Sequence, residues 1–254
     1  MKKLIGIIIA LAVIGAVGIF LLSTFAGKLI RTGVVKFGPE IAQVNVELER
    51  AHISFLSGAG GLEKLKIHNP EGYSGDHAFY ADHLAIDIDP MSILGDKIVI
   101  EEIRIIGPDI QFEQRMGSSN LKQILDNVQS LAGEGGQEST EATGGKKLEI
   151  KRFILQDAKV GVGIGTKPVS LTIPTIELTG LGAGEQGITA GELVKVILTE
   201  VTSQVTKAIA KNPDIILKGG GDILKNAGDS GSNAIKALGG LFGGKKKEEE
   251  TKDN

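Results

Sequence analysis

"VIEEIRIIGPDIQFEQRMGSSNLKQILDNV", residues 99–128, changes its apolar period halfway. Ile100, Ile103 and Ile105 lead to Gly107-Pro108, and Ile110 and Phe112 resume the alternation of a strand. After Ser119, the spacing of Leu121, Ile124, Leu125, Val128 and Leu131 becomes helical, with Asn120 as N-cap and Gln123 three residues on. No residue in the stretch carries catalytic chemistry, so its role is architectural.

A second copy lies fifty residues downstream. "IVIEEIRIIGPDIQF" from Ile98 aligns with "LEIKRFILQDAKVGV" from Leu148, matching Ile98 to Leu148, Ile100 to Ile150 and Ile103 to Phe153. Ile105, Ile110 and Phe112 fall on Leu155, Val160 and Val162. In both copies the apolar phase slips between the second and third members, which predicts a bulge that keeps one face apolar. The unit reads as a repeated β-hairpin, turning at "GPD" and "QDA", and repeats suggest stacked layers.

Around this pair, "AQVNVELERAHISF" reads as one or two strands, "SGAGG" (57–61) as a turn, and "LEKLKIHN" as a strand through Leu65 and Ile67. "NPEGYSG" (69–75) is dense in turn formers. "HLAIDID" puts Leu84, Ile86 and Ile88 on one face and Ala85, Asp87 and Asp89 on the other. "VSLTIPTIELTGLG" alternates again, and Pro174 places it at an edge or a bulge. A helix then spans 189–211: Thr189 and Glu192 form a capping box, Ile188 staples Leu193, and Pro213 follows its stop.

The two ends differ from this middle. Leu4–Leu22, with Leu4, Ile8, Leu11, Ile14, Ile19 and Leu22 along it, has no polar side chain. As a helix it is roughly 28 Å long, close to hydrocarbon thickness. Its thirteen Leu, Ile, Val and Phe residues favour insertion by about 4–8 kcal/mol. A cleaved leader with "TFA" before Gly27 competes, but the run exceeds the ~7–15 residues of a leader core. Lysines and arginines flank both sides, so orientation leans only on the short N-terminal tail, which suits export of the rest. At the other end, "IILKGGGDILKNAGDSGSNAIKALGGLFGG" reads as a frayed tail or as weak amphipathic helices, and "KKKEEETKDN" as a solvated terminus. The division is an anchor at 1–27, a β-rich domain at 28–212 with a flexible loop at 132–147, and a Gly-rich tail at 213–254.

Composition narrows the function classes. A net charge of -3 does not suit a nucleic-acid partner. The absence of cysteine removes disulfides, thiolate nucleophiles and thiolate metal sites together. His68, His77 and His83, with Asp76 and Asp82, have no spacing that converges on an ion and read as a polar surface loop. "GVGIG" (161–165) lacks the helix start and Lys-Ser/Thr pair of a phosphate loop. Ser74, Asp76 and His77 are neighbours in a turn, without triad context. No catalytic, cofactor or metal site is expected.

The chain from Gly58 through Leu125 resembles the AsmA-like envelope proteins in "LKIHNPEGY", "ADHLAIDIDPMSIL", "IVIEEIRIIGPDIQFE" and "SSNLKQIL", with "ITAGELVKVIL" matching the closing segment of short members. The resemblance covers about residues 37–210. It implies a single-pass bacterial inner-membrane protein with its bulk in the periplasm and a curved β-sheet with an apolar concave face. Larger members have been linked to phospholipid movement and outer-membrane assembly; this chain has too little strand to bridge a periplasm. A small stress-protein β-sandwich also uses Asn-Pro turns but lacks the two amphipathic helices.

The expected fold is α+β: a transmembrane helix, then a curved, mainly antiparallel sheet forming a groove, with two amphipathic helices. Its apolar face would comprise Ile67, Leu84, Ile86, Ile88, Ile100, Ile103, Ile105, Ile110, Phe112, Ile150, Phe153, Leu155 and Val160. Left open, it would hold phospholipid chains; covered, it would be a core, leaving a non-enzymatic module that docks envelope proteins.

Overall fold

The computed structural model describes residues 25–115, 118–133, 146–163 and 169–212. Over these described residues it is α+β, a curved half-barrel of mixed sheet with three helices. Helix α1 (residues 25–42) precedes β1 (Val46–Ile53), β2 (Ala59–Ile67), β3 (Phe79–Ile88) and a 3-10 turn (Pro90–Leu94). Then come β4 (Lys97–Ile106), β5 (Asp109–Phe112), the short pair β6 (Gln114–Arg115) and β7 (Ser118–Ser119), and α2 (Asn120–Gly133). The remainder is β8 (Lys147–Gln156), β9 (Lys159–Val162), β10 (Val169–Thr172), β11 (Ile176–Leu181) and α3 (Ala190–Ala210).

The repeated unit is not a hairpin. β5 continues β4 in the same direction, and β3 pairs antiparallel with both, Leu84 opposite Ile105 and Phe79 opposite Ile110. β9 likewise continues β8, and the two long strands lie side by side in parallel. Their register is the fifty-residue offset of the repeat: Ile98 faces Leu148, Ile103 faces Phe153, and Ile110 faces Val160. A parallel pair needs a crossover, and α2 lies within that connection. Gly107-Pro108 kinks the strand without reversing it, because the ladder bridges the kink: Gly107 N–H donates to Gln156 O and Lys159 N–H to Pro108 O.

On the far side of β8 and β9, β11 and β10 pair antiparallel with them. They form an edge split at residues 173–175 around Pro174, as expected. The order across the sheet is therefore β1, β2, β3, β4 with β5, β8 with β9, and β11 with β10.

Two lines of irregularity cross the sheet. Along the first, the register aligns Lys64, Asp82, Gly107 and Asp157 on successive strands. Lys64, Gly107 and Asp157 have left-handed φ of 52°, 63° and 56°. Each such residue shifts the side-chain phase by one, so Leu62 and Leu65, or Leu155 and Val160, stay on the same side. The second line runs through Glu101, where the β3–β4 register slips between Asp87 and Ile88. This is the bulge expected from the phase slip after Ile100.

One face of the sheet joins a single core with Leu121 and Ile124 of α2 and Leu193, Val201, Val205 and Ile209 of α3. The other carries cross-strand ion pairs: Lys151–Glu101 at 2.6 Å, Arg152–Glu177 at 2.8 Å, Lys64–Glu49 at 2.7 Å and Arg50–Glu63 at 3.4 Å.

Several local expectations change. Helix α1 lies in a stretch to which the sequence assigned no element; Ile30, Val34 and Ala42 are among its core-facing residues, and Thr32-Gly33 weakens its signal. Gly60 and Gly61 are not turn residues but belong to β2, where a Cβ on Gly60 would come 2.6 Å from His52 O. The capping box of α3 is present. At α2, Ser119 Oγ accepts the N–H of Lys122 and acts as the cap, freeing Asn120 for other partners. Among the described residues no helix is long and apolar enough to cross a membrane. The anchor residues Leu4, Ile8, Leu11, Ile14, Ile19 and Leu22, most of the loop 132–147 and the tail 213–254 lie outside the described residues.

Candidate functional site

The thirteen residues expected to line a groove all fall on one face, and most of that face is buried. Leu84, Ile100, Ile105, Ile110, Phe112, Ile150, Phe153, Leu155 and Val160 are buried, and Ile67, Ile86, Ile88 and Ile103 pack against them. They are the hydrophobic core, because α2 and α3 bury their own apolar stripes on them. One cleft among the described residues, about 480 Å³, is elsewhere. It lies beside α1 and is lined by Arg31, Val35, Glu47, Leu48, Glu49, Lys64, Lys66 and Tyr80. Its charges are largely paired: Lys64 with Glu49, Lys66 with Asp76 at 2.8 Å, and Arg31 Nε donating to Leu48 O at 2.8 Å. Val35, Leu48 and Tyr80 give it an apolar strip, and its charged groups form no unpaired cluster.

The most elaborate polar site joins residues distant in sequence. Asn120, fully buried, accepts the N–H of Glu113 at 3.0 Å and donates through Nδ2 to Asn69 Oδ1 at 2.7 Å and Gln111 O at 2.6 Å. Asn69 Nδ2 donates to Gly75 O and His77 O. The Glu113 carboxylate accepts the N–H and hydroxyl of Ser74 at 2.7 and 3.0 Å, and Arg115 Nε at 2.7 Å. Burial alone raises the Glu113 pKa, but the Ser74 N–H, Arg115 and the Ser74 hydroxyl outweigh it, and the carboxyl is held below its ordinary value.

This network closes the 69–77 loop onto β5 and the start of α2. It gives "LKIHNPEGY" a structural meaning, with Asn69 as the clasp. It also occupies Ser74, whose hydroxyl donates to a carboxylate rather than standing ready as a nucleophile. Sequence reasoning missed Glu113 because a charged residue after Phe112 reads as a solvated strand end. The signal available was the pair Asn69 and Asn120, each beside a chain reversal.

The histidines separate. His68 lies 2.8 Å from Glu47, His83 is on β3, and His77 is buried rather than in a surface loop. His77 has Asp76 at 3.4 Å and Asp109 at 3.7 Å, while its Nε2 has no hydrogen-bond partner. Among the described residues no group of three His, Asp or Glu side chains is arranged to hold a metal ion. No protein-family model matches the chain, and no curated protein matches it.

Proposed function

We propose that this chain is a non-enzymatic module of the bacterial envelope, AsmA-like in kind. In this reading Leu4–Leu22 tethers it to the inner membrane as a single span, and the domain from α1 through α3 acts in the periplasm as a structural or docking unit. The observation that carries this is the filled apolar face. A carrier that shelters lipid within its sheet needs that surface open, and here it is buried under α2 and α3. The polar groups capable of chemistry, Ser74, Glu113 and His77, are engaged or enclosed within the fold.

Native mass spectrometry of residues 25–212, which keeps every described residue of α1, tests this reading. The expected spectrum is the bare polypeptide mass. A stoichiometric phospholipid adduct surviving purification would overturn the scaffold reading and restore the carrier. Protease accessibility in inverted and right-side-out membrane vesicles tests the single span, with the domain cleaved only from the periplasmic side.

A further inference from the structure

Five of the eight large apolar side chains exposed among the described residues gather at one end of the sheet. Leu56, 81% exposed, tips the β1–β2 connection; Met91 and Leu94, 73% and 82% exposed, tip the 3-10 turn between β3 and β4. The two connections are neighbours, since Ile88 N–H donates to Gly58 O. Phe25 and Leu29, 67% and 63% exposed, stand in the first described turns of α1. Those turns are at the same end: Gly27 abuts Ala51 and His52, Arg31 reaches Leu48, and Gly38 meets Val46, so α1 runs antiparallel to β1.

The turn is well held. Asp89 Oδ1 accepts Met91 N–H at 2.9 Å, Ser92 Oγ donates to Asp89 O at 2.6 Å and accepts Val99 N–H at 2.9 Å, and Lys146 Nζ bonds Ile93 O. The turn's polar side chains point inward to hold it, while Met91 and Leu94 face out. An apolar cluster presented on a fixed scaffold marks a contact surface.

Chain length identifies what it meets. Only Ser23 and Thr24 separate Leu22 from Phe25, a path of about 5 Å if helical and about 10 Å if extended. We infer that this rim rests in the bilayer interface, with Leu56, Met91 and Leu94 inserted among the acyl-chain ends nearest the headgroups. The inference rests on the proposed span at Leu4–Leu22, which would leave the rim nowhere else to be.

The lack of cysteine permits a clean test with the full chain in phosphatidylcholine vesicles. Single substitutions Leu56→Cys, Met91→Cys, Leu94→Cys, Glu71→Cys at the opposite end, and Val13→Cys within the apolar run each carry an environment-sensitive fluorophore. Lipids brominated high on the acyl chain report positions 56, 91, 94 and 71, and lipids brominated near the chain's methyl end report position 13. The expected result is blue-shifted, quenched emission at positions 56, 91 and 94, and none at 71. Quenching at 13 without quenching at the three rim positions overturns the rim while leaving the span intact. A rim that is blue-shifted but not quenched is covered by protein, a second copy included, and also overturns it. Rim quenching with no signal at 13 supports the rim and removes the span. No quenching at any position overturns both.

Discussion

Asn120 shows how much one buried side chain can organise. Replacing it with alanine leaves the Glu113 N–H, Asn69 Oδ1 and Gln111 O without their partners around a fully buried position. A buried unsatisfied group costs about 1–3 kcal/mol, so Asn120→Ala is expected to lower unfolding stability by about 2–4 kcal/mol in urea titrations. Glu113 adds a pH dependence of known sign. Its folded pKa lies below the ordinary 4.5, so its contribution is complete above that value. It fades as pH falls through the folded pKa, because the unfolded chain takes up the proton first. Glu192 acts in the same direction, held low chiefly by the Thr189 N–H. Glu113→Gln is therefore expected to flatten, without abolishing, the loss of stability below pH 4.5 in denaturation series. An unchanged slope would remove Glu113 from the account.

At the scale of elements, α1 and β1 meet through a glycine. A Cβ on Gly27 would overlap the carbonyl oxygen of Ala51, which is backbone and has little room to give. Gly27→Ala must lift the start of α1 from the edge strand, at a cost of about 1–3 kcal/mol. Hydrogen exchange is the measurement: amides of β1 should exchange faster than in the parent chain, while those of β8 keep their protection. The contact also protects the sheet, since an uncovered edge strand invites pairing with another chain. The creases have a comparable logic. Lys64 and Asp157 hold left-handed backbone that a non-glycine residue adopts at a cost of about 1–2 kcal/mol. Their alignment with Gly107 keeps the apolar face continuous where a regular pleat would have turned it over.

For the whole molecule, the question is whether the apolar face is core or cavity, and Phe153 decides it. As a core residue, Phe153→Ala should cost about 3–5 kcal/mol, read as an earlier midpoint in urea with little change in slope. As the wall of an open groove it would cost far less and would alter ligand uptake instead. The parent chain's long parallel pairing of β4 with β8 and β5 with β9, fifty residues apart, also makes folding a slow search for non-local contacts.

Much of this was legible from residues alone. Alternation at Ile98–Phe112 and Leu148–Val162 told which side chains share a face, because period-2 burial is local. The offset of the two copies coincides with their strand register, since identical phase slips can pair side by side without a mismatch. Thr189 and Glu192 announced a helix start through atoms three residues apart. The tertiary structure alone decided that Gly107-Pro108 kinks a strand instead of reversing it, because a glycine-proline pair suits both. Only there does Glu113 prove buried, does α1 guard an edge, and do two helices join the sheet's apolar face in one core. Those outcomes depend on hydrogen-bond partners and packing surfaces dozens of residues away, which no local pattern encodes.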